Sequence, residues 1–181
     1  MNGLDTRWSI YDAQSKWIQF FLFSLQIYAE VNRVREKIAS YIGADSEDVV
    51  FIPNASTAIN AVLRSLIIKG KVLYLNIEYQ MTKNTLAFLN QHFGDKLIQQ
   101  TVSYPLTEQQ ILDLVSNAFV QNPDIELLVA SHISSIPSLI LPVKKLAQIC
   151  HANNASILID GKKKTSSPYM TNNVFSFIES Y

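Results

Sequence analysis

The run Phe51-Ile-Pro-Asn-Ala-Ser-Thr-Ala-Ile-Asn60 carries residue types from which an anion site is made. After a break at Pro53, Asn54, Ala55, Ser56 and Thr57 stand directly ahead of an apolar helical pattern. Small residues let the backbone approach a ligand, hydroxyls donate hydrogen bonds, and the first amides of a helix have no acceptor within it. Together they can hold an anion, most naturally a phosphate. The same residues also make an ordinary strand–turn–helix junction with Ser56 or Thr57 as N-cap.

Three more polar groups recur at intervals: Glu78 with Tyr79, the stretch His132 to Ser135, and Asp160. The elements between them explain the spacing. Val31, Val34, Ile38 and Tyr41 keep helical spacing up to Gly43, and Asp48–Ile52 reads as a strand. A helix follows from Thr57 to Ile68, stopped at Gly70. Strands are expected at Lys71–Leu75, Leu97–Val102, Glu126–Ser131 and Ala155–Ile159. Helices are expected at Met81–His92, stopped by Gly94, at Thr107–Val120, and at Val143–Ala152, which Pro142 opens. Strands alternating with helices of this length predict an α/β fold with a mostly parallel sheet flanked by helices in three layers. In such sheets ligands bind beyond the carboxyl ends of the strands, where all four polar groups fall.

Fifteen basic residues balance fifteen acidic ones, so no global field draws the chain to nucleic acid or to an anionic membrane. The apolar run Trp17 to Val31 is interrupted by Gln19, Ser24 and Gln26, which makes it too short and too polar for a membrane span, and it lacks the cleavage site of a leader. Its density of Trp17, Phe20, Phe21, Phe23 and Tyr28 fits a helix that packs on a partner subunit, on a missing part of the protein, or in the core. The lone Cys150 suits a reducing compartment and reads as a small buried hydrophobe on a helix, so the expected location is cytoplasmic. His92, His132 and His151 form no metal-ligand spacing, and no metal is expected. Glycine-rich dinucleotide and Gly-Lys-Ser/Thr phosphate motifs are both missing.

A phosphate anchor, an aromatic platform, hydroxyl donors and one carboxylate at a strand end suit pyridoxal 5′-phosphate, whose ring nitrogen a carboxylate keeps protonated. In segment order the chain resembles the class V aminotransferase-like, fold-type I pyridoxal-phosphate enzymes, nearest the isopenicillin N epimerase-like branch and more distantly the cysteine desulfurases. The resemblance rests on Asn54-Ala-Ser-Thr-Ala-Ile-Asn60, Ile77-Glu-Tyr79, Ser131-His-Ile-Ser-Ser135, Leu141-Pro-Val-Lys-Lys-Leu146 and Leu158-Ile-Asp-Gly161. It implies that Ser56 and Thr57 hold the cofactor phosphate and that Tyr79 lies against the pyridine face. It further implies that Ser135 contacts the ring hydroxyl or the substrate, and that Asp160 pairs with the pyridinium nitrogen. The implied substrate is an amino acid, and the implied assembly a homodimer with sites near the subunit interface.

After Gly161 the resemblance stops. The family's Schiff-base lysine is expected some two dozen residues further on, and the chain instead reads Lys162-Lys-Lys-Thr-Ser-Ser-Pro168 and on to Tyr181. Lys163 falls near the cofactor, but its reach toward the aldehyde carbon is poor. The expected organisation is therefore an aromatic helical segment at 1–30, part of a cofactor-binding large domain at 31–161, and a divergent tail at 162–181. Such a chain, truncated before the lysine, is expected to be catalytically impaired. The alternatives are a non-catalytic fragment that associates with a full-length relative, and an α/β domain for another phosphate ligand.

Overall fold

The computed structural model describes residues 5–94, 96–162 and 174–179. The chain divides into two compact units, Met1–Phe51 and Ile52–Tyr181.

The first unit is one long helix, α1 (Asp5–Ile42), followed by a 3-10 turn at Ser46–Asp48. The aromatic segment and the amphipathic segment after it thus form a single helix. It ends where the sequence asks it to, at Gly43 with φ of 72°. The strand expected at Asp48–Ile52 does not form. Asp45 instead caps the 3-10 turn by accepting the Glu47 amide, and Val50 and Phe51 lie exposed with no strand paired to them among the described residues. Trp17, Phe20, Phe21, Phe23 and Tyr28 are all exposed on α1.

The second unit is the α/β fold. Helix α2 (Ala55–Ser65) leads to β1 (Lys71–Leu75), α3 (Gln80–Phe93), β2 (Leu97–Gln100), α4 (Glu108–Gln121), β3 (Ile125–Ser131), α5 (Val143–Ala152), β4 (Ser156–Lys162) and β5 (Val174–Glu179). All strand pairs are parallel, in the order β2-β1-β3-β4-β5. Strand β5 lies in the tail expected to diverge, yet it pairs along β4 from Ile157↔Val174 to Lys162↔Glu179.

Alternation along the strands sorts the core into two layers. Leu73, Leu75, Leu128, Ala130, Ile157 and Ile159 meet Ile111, Val115 and Phe119 of α4 and Leu146 and Cys150 of α5. Val72, Leu127, Val129 and Leu158 meet Ile59 and Leu63 of α2 and Leu86 of α3. The sheet is therefore sandwiched, with α2 and α3 on one face and α4 and α5 on the other. Cys150 is fully enclosed, and burial pushes its thiol up to about 12, which leaves it protonated and unreactive at neutral pH.

Boundaries moved for local reasons. Helix α4 begins where Thr107 and Gln110 close a reciprocal capping box. Strand β2 stops at Gln100 because Asn76 takes over beyond it: its Oδ1 accepts the Val102 amide at 2.8 Å. Helix α2 ends at Ser65, short of the Ile68 expected, and Gly70 does not stop it. Gly70 lets two strands close up instead, since a Cβ there would lie 2.1 Å from the Asp124 carbonyl oxygen. The flanking Lys71 amide donates to that same oxygen at 2.7 Å. Gly70→Ala is accordingly expected to cost about 1–3 kcal/mol, because backbone must move to admit the methyl; a shifted urea midpoint with unchanged slope would register it.

Candidate cofactor site at the carboxyl ends of the strands

The site begins at the N-terminus of α2. Asn54 is the N-cap, in extended conformation, and its Oδ1 accepts the Thr57 amide at 2.8 Å. Neither Ser56 nor Thr57 caps the helix; both sit exposed in its first turn. The cap consumes one of the amides an anion would use, leaving those of Ala55 and Ser56 together with the two hydroxyls. Asn54→Ala should therefore destabilise the unit by about 1 kcal/mol while freeing the Thr57 amide. Thermal unfolding beside a phosphate-ligand titration would show weaker stability without weaker binding.

Asn60 fixes this turn against α3. Its Nδ2 donates to the Ser56 carbonyl oxygen at 3.0 Å and contacts the Met81 sulfur at 3.3 Å, and its Oδ1 accepts the Thr85 hydroxyl at 3.2 Å. Met81 lies in the first turn of α3, two residues past Tyr79, which occupies the N-cap position of that helix. The Tyr79 ring is half exposed at this end, open for stacking.

The strand order places a switch point between β1 and β3. From β1 the chain moves outward through α3 to β2, then returns over β1 through α4 to β3, so the connections leave adjacent strands on opposite faces. Open sheets of this kind present their ligand crevice there. Glu78, just after β1, spans the gap. Its Oε1 accepts the Ser131 amide at 3.0 Å, and its Oε2 accepts the Ser131 hydroxyl at 2.6 Å. Ser131 ends β3 and is in register with Asp160 on β4. Counting by twos from Val129 and from Leu158 puts Ser131 and Asp160 on the α2/α3 face.

Asp160 lies within β4, fifth of its seven residues, rather than just after it. Its carbonyl oxygen accepts the His132 amide at 2.8 Å, which ties the start of the following loop to β4. Ser135 is exposed in that loop, at the same end of the sheet. Ser134 beside it is buried and closes the loop on itself, donating to the Pro137 carbonyl at 2.5 Å and accepting the Leu139 amide at 3.0 Å. Lys163 lies outside the described residues.

Glu78 is the member whose role the sequence did not reveal. It is 3% exposed, and its carboxyl is pushed up to about 7. Burial is the main cause and the Asp160 charge adds to it, while the Ser131 hydrogen bonds and Lys83 oppose. The signal available was a lone carboxylate immediately after a buried strand; its partner lies 53 positions away.

The residues fit pyridoxal phosphate at three points: amides and hydroxyls at a helix N-terminus for the phosphate, an open tyrosine face, and a half-buried carboxylate for a cationic ring nitrogen. Among the described residues no group of three or more His, Cys, Asp or Glu is placed to hold a metal, and no helix is long and apolar enough to cross a membrane.

The Aminotransferase class-V family profile matches residues 16–170. The chain is 26% identical over 152 residues to the hercynylcysteine sulfoxide lyase of Schizosaccharomyces pombe, covering 83% of this chain and 38% of that protein. It is 30% identical over 132 residues to a probable cysteine desulfurase of Halobacterium salinarum, covering 70% and 31%. With the isopenicillin N epimerase of Amycolatopsis lactamdurans the identity is 29% over 133 residues, covering 70% and 33%. The chain thus spans about a third of the length of these relatives. Among solved structures, the fold is shared with the cysteine desulfurase CsdA of Escherichia coli at a TM-score of 0.62 and 16% identity, covering 77% of this chain and 36% of that one. Because the family match runs through the α2 turn, Glu78, the end of β3 and Asp160 alike, this chain belongs to the class-V aminotransferase family.

Proposed function

We propose that this chain is part of the pyridoxal-phosphate-binding large domain of an enzyme acting on an amino acid, by epimerisation, aminotransfer or carbon–sulfur cleavage. Residues 31–161 are the cofactor-binding part in this reading, preceded by the aromatic helical segment 1–30 and followed by 162–181. The observation that supports it most is that the α2 N-terminus, tied to α3 through Asn60, lies on the same face of the sheet as the Ser131–Asp160 pair, with Tyr79 at the start of α3.

Each residue has a task that its surroundings support. Ser56 and Thr57 bind the phosphate, Tyr79 covers the ring, and Ser135 reaches the ring hydroxyl or the substrate. Asp160 holds a proton on the ring nitrogen by presenting its negative charge there. When bound, the cofactor supplies an electron sink for charge developing at the substrate α-carbon.

The 181-residue polypeptide on its own turns over little or no substrate, because the residue that holds the cofactor covalently in this family is not matched. Pyridoxal phosphate followed by borohydride reduction and peptide mapping tests this. Free cofactor after reduction is expected, whereas stoichiometric attachment at Lys163 would contradict the impaired reading. Borohydride-independent binding of a nucleotide in place of the cofactor would favour a domain for another phosphate ligand.

The exposed aromatic side chains of α1 support a second role, association with another copy or with a full-length relative. A chain that stays monomeric at all concentrations and does not co-purify with such a relative would count against it. A cytoplasmic location belongs to the same proposal, in keeping with the buried reduced Cys150.

A further inference from the structure

Glu78 has no part in the reading above, although it is the most deeply buried carboxyl at the site. Both its oxygens are committed to Ser131, at 3.0 Å to the amide and 2.6 Å to the hydroxyl, and Ser131 is the register partner of Asp160. Two carboxyl groups therefore flank the end of β3, Glu78 from just after β1 and Asp160 from β4, one enclosed and one half-buried. Among the described residues, the charged groups acting on Glu78 are Asp160 from β4, which opposes its ionisation, and Lys83 from α3, which favours it. The Lys83 ammonium is committed to the Asn76 carbonyl oxygen at 3.1 Å, and it ranks last among these influences. Like charges so placed do not both ionise freely in a poorly solvated setting.

We propose that Glu78 is a positioning residue for a cationic ring nitrogen: its carboxyl, clamped on Ser131 beside Asp160, keeps a proton while no cationic ligand is bound and releases it to solvent when a pyridinium nitrogen settles against Asp160. The step breaks one O–H bond of the Glu78 carboxyl, leaves the electron pair on its oxygen and passes the proton to water. The pair then meets the cation with two negative charges instead of one. The Ser131 amide and hydroxyl stabilise the ionised carboxylate and hold the end of β3 in register with Asp160. This rests on the cofactor reading of the site and adds a proton to its binding equilibrium.

Calorimetric titration of the full chain with pyridoxamine 5′-phosphate tests it, because this probe keeps the ring and the phosphate but has no aldehyde to react with surface lysines. Runs near pH 6.5 in two buffers of different ionisation heat give the number of protons released. The parent is expected to release on the order of half a proton more than Glu78→Gln. Ser131→Ala, which removes the hydroxyl donor to the carboxylate, is expected to move the release to higher pH. Binding with equal proton counts in parent and Glu78→Gln overturns the inference and leaves the cofactor reading standing; so does an unmoved release in Ser131→Ala. Failure of the parent to bind at all overturns both. A Glu78→Gln chain that does not fold leaves the pH of release in Ser131→Ala as the deciding result.

Discussion

Asp160→Asn is expected to weaken binding of a pyridoxal-phosphate ligand about ten- to a hundredfold, the loss that follows from giving up a hydrogen bond to a charged partner of ~1.5–3 kcal/mol. The substitution keeps the shape of the side chain, and Asp160 stays inside β4, in register with Ser131 on one side and Phe177 on the other. Its backbone carbonyl still accepts the His132 amide. The fold should thus survive, and fluorescence titration should report the affinity change against an unaltered unfolding transition. A second consequence separates this from a generic loss. Removing the Asp160 charge removes one of the influences that raise Glu78, so the Glu78 titration should move down in pH.

The second large effect concerns Glu78 itself in the ligand-free protein. Its folded value of about 7 stands above the ordinary 4.5, so the folded state binds the proton more tightly than the unfolded chain. The stability tied to that proton is fully present below pH 4.5 and is lost as pH rises to 7, after which it stays flat. At ~1.4 kcal/mol for each tenfold difference in proton affinity between the two states, the whole contribution is about 3 kcal/mol. Glu78→Gln cannot titrate, and its denaturant midpoint should lack this fall. The difference between parent and variant across pH 4.5–7, not either curve alone, isolates the group. Parallel curves would mean that Glu78 binds its proton equally tightly in the folded and unfolded states.

Much of this was legible in the sequence because the relevant signals are local. The helices stopped by Gly43 and Gly94 end there with positive φ, as glycine permits. The apolar run Leu127-Leu-Val-Ala130 could only be a strand covered on both faces, and it is. Alternation alone put Asp160 at the correct end of the sheet. What failed was a segment whose fate depends on a neighbour. Asp48–Ile52 has a strand-like composition, but among the described residues no strand pairs with it, and the Asp45 cap turns it the other way. Gly70 looked like a helix stop because helix stops are common, whereas its purpose is set by Asp124, far along the chain.

The site shows the same division. Ser56, Thr57 and Tyr79 stand at helix starts, which punctuation in the sequence announces. The cap itself fell to Asn54 because it is the extended residue directly before the helix, whereas Ser56 and Thr57 already stand inside the first turn. The Asn60 tie between α2 and α3 and the Glu78 clamp on Ser131 join residues distant in sequence, so no window of the chain contains them.

The central claim is that the α2 turn and Asp160 together hold pyridoxal phosphate, and it is tested most directly by equilibrium binding of pyridoxamine 5′-phosphate to the purified 181-residue chain. Parent protein, the double variant Ser56→Ala/Thr57→Ala, and Asp160→Asn would be compared at one pH. The account predicts saturable one-to-one binding by the parent, weakened at least about tenfold in each variant. No saturable binding by a folded parent, or binding that both variants leave untouched, would contradict it.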